Sequence, residues 1–361
     1  MIAFTRAAAS SPDTLMVSAV LDEEHNDEAI YEAAARVFQY EHRNESDRRW
    51  YFDDFDLSVQ SIAYINDAQI SPPSSHFSLL GAEGDVYHIA KPSHRVERIK
   101  GAGTAYPESK FYGKVFKLTQ IEDRLYVCGS GGQIYVRRNY DSWELLTDTV
   151  IFDPDAHVKL MENAPNTEDP SFLEWLVKIQ EEEPRNLFFN DIKGLSKNEI
   201  YLCGEEGIKP VLCYWDGSKI HEINVYLPEA ALTGIYIENP DSVWVCGREG
   251  VLLHGSYARG FSPVSLNTQL NLFHMITPYR GKLVMPASVR PGGLYEYDPK
   301  TGDFGKFDPP LPRLRSRDDP NSIDGGPFFA QAVGDVLWVV ASKDIFRFDG
   351  KEWERIDHPD L

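Results

Sequence analysis

The chain has 361 residues, with 56 acidic against 36 basic side chains and a formal net charge of -20. That balance opposes direct binding to nucleic acid, which needs neutralised phosphates, and favours attraction to a basic partner. No apolar run is long enough for a transmembrane helix, and Met1 to Ser11 lacks the basic-then-apolar order of a secretory signal.

Read in chain order, the first predicted element is a strand over Thr14 to Val20. An insertion follows from Leu21 to Arg49. Asn26-Asp27-Glu28 can cap a helix there, and Ala29, Ile30, Ala33, Ala34, Val37 and Phe38 recur at helical spacing, so a helix is expected within 22–45. Phe77-Ser78-Leu79-Leu80-Gly81 then opens a series. An apolar strand ends in Gly, a turn bearing Gly follows, and a second apolar run comes next.

The series is clearest further on. Leu125-Tyr126-Val127-Cys128-Gly129 returns as Ile200-Tyr201-Leu202-Cys203-Gly204 and as Val243-Trp244-Val245-Cys246-Gly247. Each copy runs into a glycine turn, at Gly131-Gly132, Glu206-Gly207 and Glu249-Gly250. Weaker copies begin at Leu283 and Leu337. Within a unit a first strand precedes the phrase, as Phe116 to Ile121 does. A fourth strand follows it, as Trp143 to Leu146 and Trp353 to Ile356 do. Asp216-Gly217 and Asp349-Gly350 between apolar runs signal hairpins, because both turn positions tolerate positive φ.

Four antiparallel strands repeated about every 40 residues predict an all-β chain, a β-propeller of four-stranded blades. Six units are counted, and six blades are expected. Seven is the alternative, with Thr14 to Val20 completing the last blade or beginning a further one. The whole chain, 1–361, is expected to form one propeller domain. Two more insertions interrupt the repeat. Val150 to Arg185 is expected to hold a helix opened by Asp169-Pro170, with Phe172, Leu173, Leu176, Val177 and Ile179 on its apolar side, ending in Glu181-Glu182-Glu183. Pro309 to Gly326 is expected to be a loop, with Arg313, Arg315 and Arg317 alternating.

Cys128, Cys203 and Cys246 occupy one repeated strand position in separate blades, which argues against pairing among them and for buried apolar fillers. No Cys/His spacing of the zinc kind occurs, and no metal or cofactor is expected. Asp298 to Asp303 lacks the alternating carboxylates and distant Glu of a calcium loop and reads as a turn. Local catalytic motifs are absent: no Gly-x-Ser-x-Gly, no phosphate loop, no His-Glu-x-x-His. Propeller ligands gather where the first strands open onto the central channel. The polar residues entering those strands are Gln60, Asn190, Asp191, Thr233, His274 and Gln331. They differ from unit to unit, so no symmetric site is expected.

The phrase of aromatic, Val, Cys and Gly, then Glu-Gly, an apolar run, Asp-Gly and Trp resembles blades of bacterial β-propellers outside the WD-repeat and kelch groups, over about residues 50 to 358. With its acidity and missing catalytic motifs, the chain resembles immunity proteins of secreted toxin systems, type VI and polymorphic. The resemblance implies a cytoplasmic monomer that binds a cognate protein toxin with a basic surface, nucleases being among such toxins, without touching membrane or nucleic acid. Glu181, Glu182, Glu183, Asn190, Asp191, His274 and Gln331 are the candidate contacts. The alternatives are a hydrolase or lyase with its site at the channel mouth near Asn190, Asp191 and His274, and a general interaction scaffold.

Overall fold

The computed structural model describes residues 2–21, 34–67, 74–89, 94–162, 164–182, 184–266, 272–289, 291–315 and 326–358. These residues form twenty-eight strands in seven antiparallel sheets of four, each sheet built from consecutive strands. The first strands of blades 1 to 7 are Ile2–Ser11, Val59–Asp67, Val115–Ile121, Phe188–Ser196, Leu232–Asn239, Thr277–Tyr279 and Phe329–Val333. They pack against one another around the hub.

The blade count is seven, the alternative of the sequence reading, and not the six it favoured. Thr14–Leu21 does not complete the last blade. It is the second strand of a whole first blade, with Ala34–Glu41 and Trp50–Asp56 outside it. The helix expected within 22–45 is therefore corrected over its second half. Ala34, Val37 and Phe38 stand on a strand, while residues 22–33 lie outside the described residues. That strand is buried on both faces at Ala35, Val37, Phe38 and Tyr40. A strand buried on both faces loses the two-residue alternation, and its apolar positions can then imitate helical spacing.

The repeated phrase serves two seams at once. Seven apolar clusters lie one at each blade–blade seam. On the second strand of blade 3, Leu125 and Val127 pack toward blade 2, whereas Tyr126 and Cys128 pack toward blade 4. Ile200 and Leu202 of blade 4 face back to blade 3, and Tyr201 and Cys203 face forward to blade 5. Successive strand side chains point to opposite faces, so the apolar–aromatic–apolar–Cys order supplies both sheets' contacts. The cysteines are free and buried, and burial raises the pKa of each thiol. The glycine closing the phrase is required by space. A Cβ on Gly129, Gly204 or Gly247 would fall on the backbone carbonyl of Lys114, Phe188 or Ala231 where the blade's first strand passes. The Asp-Gly hairpins form as expected, with Gly217 and Gly350 both at φ 93.

No strand is exchanged between blades 7 and 1. The ring closes instead through a backbone bond from Phe4 N–H to Ser342 C=O at 2.8 Å and through side chains. The Gln331 amide accepts from Ala9 N–H at 2.9 Å and donates to Ala9 C=O at 3.1 Å, as a strand neighbour would. Trp338 Nε1 donates to Ser11 C=O at 3.2 Å and Arg347 Nε to Pro12 C=O at 3.0 Å. Phe4, Leu15, Phe38 and Tyr40 bury against Trp338, Val340 and Ile356 beneath them.

A buried polar chain, unseen in the sequence, crosses the seam between blades 2 and 3. His76 Nε2 meets His88 Nδ1 at 3.1 Å, and His88 Nε2 meets Glu97 Oε1 at 3.0 Å. Arg137 clasps Glu97 through Nε at 2.9 Å and through its terminal NH2, and reaches Asp67 at 2.9 Å. Trp143 Nε1 donates to Glu97 at 2.9 Å. The Arg137 and Glu97 side chains are 1% and 0% exposed. Burial pushes the Glu97 pKa up, but hydrogen bonds from His88 and Arg137 outweigh it and the net shift is downward.

Candidate functional site: the channel mouth and the insertion face

In a four-stranded antiparallel meander, the connection to the next blade and the turn between second and third strands emerge on the same side. The points at which the chain leaves the strands for its insertions therefore share one face, here called the insertion face. It carries the segment between blades 3 and 4, with helices α1 (Pro154–Glu162) and α2 (Phe172–Glu182). The other face carries the tight hairpins, including Asp216-Gly217 and Asp349-Gly350.

The α2 start is the one the sequence indicates. Asp169 Oδ1 accepts from the Ser171 amide at 2.8 Å and from its hydroxyl at 2.7 Å, which holds the Asp169 pKa below the usual carboxylate value. This satisfies amide groups that a helix start leaves free. Phe172 and Trp175 stack at 5.7 Å. Leu173 and Val177, 72% and 63% exposed, face solvent rather than the ring. Behind the helix Arg185 ties the segment to blade 4, bonding Glu206 and Glu222 at 2.9 Å each. Tyr226, in the connection between blades 4 and 5, is 90% exposed on the same face. Between 150 and 185 stand nine acidic and three basic residues. This segment is thus acidic, with isolated exposed apolar side chains.

The channel beside it is a cavity of about 1180 Å³. Gln60, Asn190, Thr233, His274 and Gln331 line it, as expected from the strand starts. Much of their polarity is already engaged in holding neighbouring blades. Asn190 donates to Leu232 C=O at 2.9 Å, Thr233 donates to Phe273 C=O, and Gln331 holds Ala9. Asp191 does not line the channel. It is buried in the seam, where Oδ2 accepts from Ile235 N–H at 2.9 Å and Oδ1 lies 3.7 Å from Lys117 Nζ. Glu181 and Glu182 end α2, and Glu183 lies outside the described residues.

Sequence reasoning missed the channel's cations, Arg6, Lys117, Lys193 and Arg248. Arg6 was hidden because blade 1 carries no glycine phrase, and Arg248 because it belongs to a second-to-third turn. Lys117 and Lys193 sit one and three residues beyond the neutral polar layer that was searched. It also missed Ser288, whose Oγ lies 2.5 Å from His274 Nε2. Burial, with Arg6 and Arg248 nearby, lowers the His274 pKa to about 4. A neutral imidazole beside a hydroxyl has the parts of a base and a nucleophile. Here, however, the neighbours are cations, and among the described residues no carboxylate orients the ring. The imidazolium that proton abstraction creates is therefore disfavoured, and the arrangement suits binding better than acid–base chemistry. Among the described residues no group of three or more His, Cys, Asp or Glu is placed to hold a metal ion, and no helix is long and apolar enough to cross a membrane.

These features define a seven-bladed β-propeller with a decorated face and a polar channel. No family model matches the chain. It is 24% identical over 288 residues to the immune protein Tsi7 of Pseudomonas aeruginosa strain PAO1, covering 80% of this chain and 78% of that protein. The chain is a β-propeller that resembles a toxin immunity protein, and this similarity supports a protein-binding immunity role. Solved structures share the fold. A streptogramin B lyase superposes with TM-score 0.58 at 12% identity, over 98% of this chain and 93% of that one. A catalytically inactive virginiamycin B lyase variant from Staphylococcus aureus, with quinupristin, superposes with TM-score 0.57 at 10% identity, over 94% and 92%. YCF48 from Cyanidioschyzon merolae gives TM-score 0.57 at 11% identity, over 95% and 94%. At such identities these likenesses concern the fold alone.

Proposed function

We propose that this protein is a cytoplasmic, monomeric immunity protein that neutralises a cognate bacterial toxin by covering the toxin's basic, substrate-binding surface. The observation that carries the reading is the similarity to Tsi7 along four fifths of the chain. The insertion face supports it, since an acidic surface accelerates encounter with a basic partner, and exposed Leu173, Val177 and Tyr226 offer apolar anchors once docked. Neither nucleic acid nor membrane enters this reading.

The test is co-expression with a candidate toxin drawn from the genes that neighbour its own. Growth should be rescued, and the two chains should co-elute as a complex. Leu173→Asp with Val177→Asp, at positions that do not support the ring, should weaken the complex at least tenfold while leaving thermal stability unchanged. Rescue and co-elution that are both absent would sink the reading.

A further inference from the structure

The channel reverses the charge of the molecule. In a chain of net charge -20, Arg6, Lys117, Lys193 and Arg248 line it against a single lining carboxylate, Glu205, among the described residues. Lys117 has Asp191 near it at 3.7 Å. Arg6 is held in place by Gln60 and Thr5 carbonyls, at 2.7 and 2.8 Å, and neither bond neutralises its charge. The side chains of Arg248 and Lys193 make no hydrogen bond or ion pair with the described residues.

Two clusters result. Arg6 and Arg248 act together on His274, whereas Lys117 and Lys193 share the field of Asp191. Burial, then the charges of Arg6 and Arg248, lowers the pKa of His274, while burial lowers that of Lys193 against the opposing charge of Asp191. Low-dielectric walls of one sign concentrate an electric field and attract counter-ions. Guanidinium groups match the planar forks of carboxylate and phosphate, and the cavity volume is of the order of small-ligand sites.

We propose that the channel mouth is a binding site for a compact multivalent oxyanion, phosphoryl or carboxylate in chemistry, held by Arg248 and Arg6, with Lys193 lining the same cavity. It is independent of toxin binding and concerns a different part of the insertion face.

Calorimetric titration with pyrophosphate and with citrate, against sodium chloride of equal ionic strength, tests it. Wild type should bind at least one saturably. Arg248→Gln and Lys193→Gln should each weaken that binding tenfold or more, while Arg259→Gln, in a hairpin on the opposite face, should not. Binding of pyrophosphate alone assigns a phosphoryl ligand, and binding of citrate alone or of both assigns a broader polyanion site. No saturable binding of either anion, or binding that both channel variants leave intact, overturns the proposal.

Discussion

Replacing Arg137 by Met tests the claim that the seam between blades 2 and 3 depends on compensated buried charge. Arg137 is enclosed and serves two carboxylates, Glu97 through two bonds and Asp67 through one. Methionine fills much of the volume but leaves both carboxylates without their cation. Breaking a buried pair from one side costs about 3–5 kcal/mol, because a charge remains in a poor solvent. Arg137→Lys should also cost well over about 1 kcal/mol, since one ammonium cannot reproduce a fork toward Glu97 and a third bond toward Asp67. Adding Glu97→Gln to Arg137→Met should recover part of the loss by removing one orphaned charge. The assay is urea unfolding followed by circular dichroism and by tryptophan fluorescence, to which Trp143 in the same network contributes. The sign of the pH response is a second signature. Wild-type Glu97 has a lowered pKa, so its stabilising contribution is present above the unfolded value of 4.5 and fades as pH falls through the folded one. Without Arg137 burial dominates and raises that pKa, so acidification should narrow the gap between variant and wild type. A loss below about 1 kcal/mol for Arg137→Met, or a gap that widens in acid, would refute the reasoning.

Other expectations concern acid stability, space and ring closure. Burial first, then the charges of His88 and Arg95, lowers the His76 pKa from 6.5 to about 4. The unfolded chain therefore binds more protons between these values. Stability should climb by roughly 3 kcal/mol from pH 4 to 6.5 through this group and level off above, and His76→Asn should flatten that slope. Gly204→Ala, which drives a methyl into the Phe188 carbonyl, should cost more than about 2 kcal/mol by denaturant midpoint, whereas Gly207→Ala, with open space but φ 62, should cost about 1. Gln331→Leu removes both bonds to Ala9 and leaves its backbone groups unpaired. It should cost about 2–3 kcal/mol and raise amide hydrogen exchange in blades 1 and 7 before the other blades.

The strand phrase made most of the ring readable, because one strand has to satisfy two seams and a close backbone passage. Those demands leave a residue order, seen at Leu125 to Gly129 and twice more. Blade 1 escaped because its second strand, Thr14–Leu21, ends without glycine and is separated from the third by 22–33 rather than by a tight turn. Asp169-Pro170 was legible because a helix cap is local. The channel was legible only in part. Neutral polar residues at strand starts could be placed by counting from the phrase, but Arg6, Lys193 and Arg248 come to one cavity from three blades through closure of the ring. The His76–His88–Glu97–Arg137 chain likewise joins residues of separate strands and blades, and no spacing along the chain encodes it.

Closure without a shared sheet bears on binding. Many rings can be locked by sharing one sheet between the two chain ends; here each end belongs to a complete blade, and Gln331, Trp338 and Arg347 bridge them. Like every other seam, the one between blades 7 and 1 lacks the backbone ladder that holds strands within a sheet, and it has in addition no chain connection across it, so the ring is expected to open there first. The α1–α2 insertion sits between blades 3 and 4, across the ring from that seam, and is anchored by Arg185 to two glutamates. A docking surface placed there keeps its geometry when the seam breathes, so less conformational freedom is lost on association. Placing the helical insertion away from the closure seam suits a ring whose task is to hold that surface still for a partner.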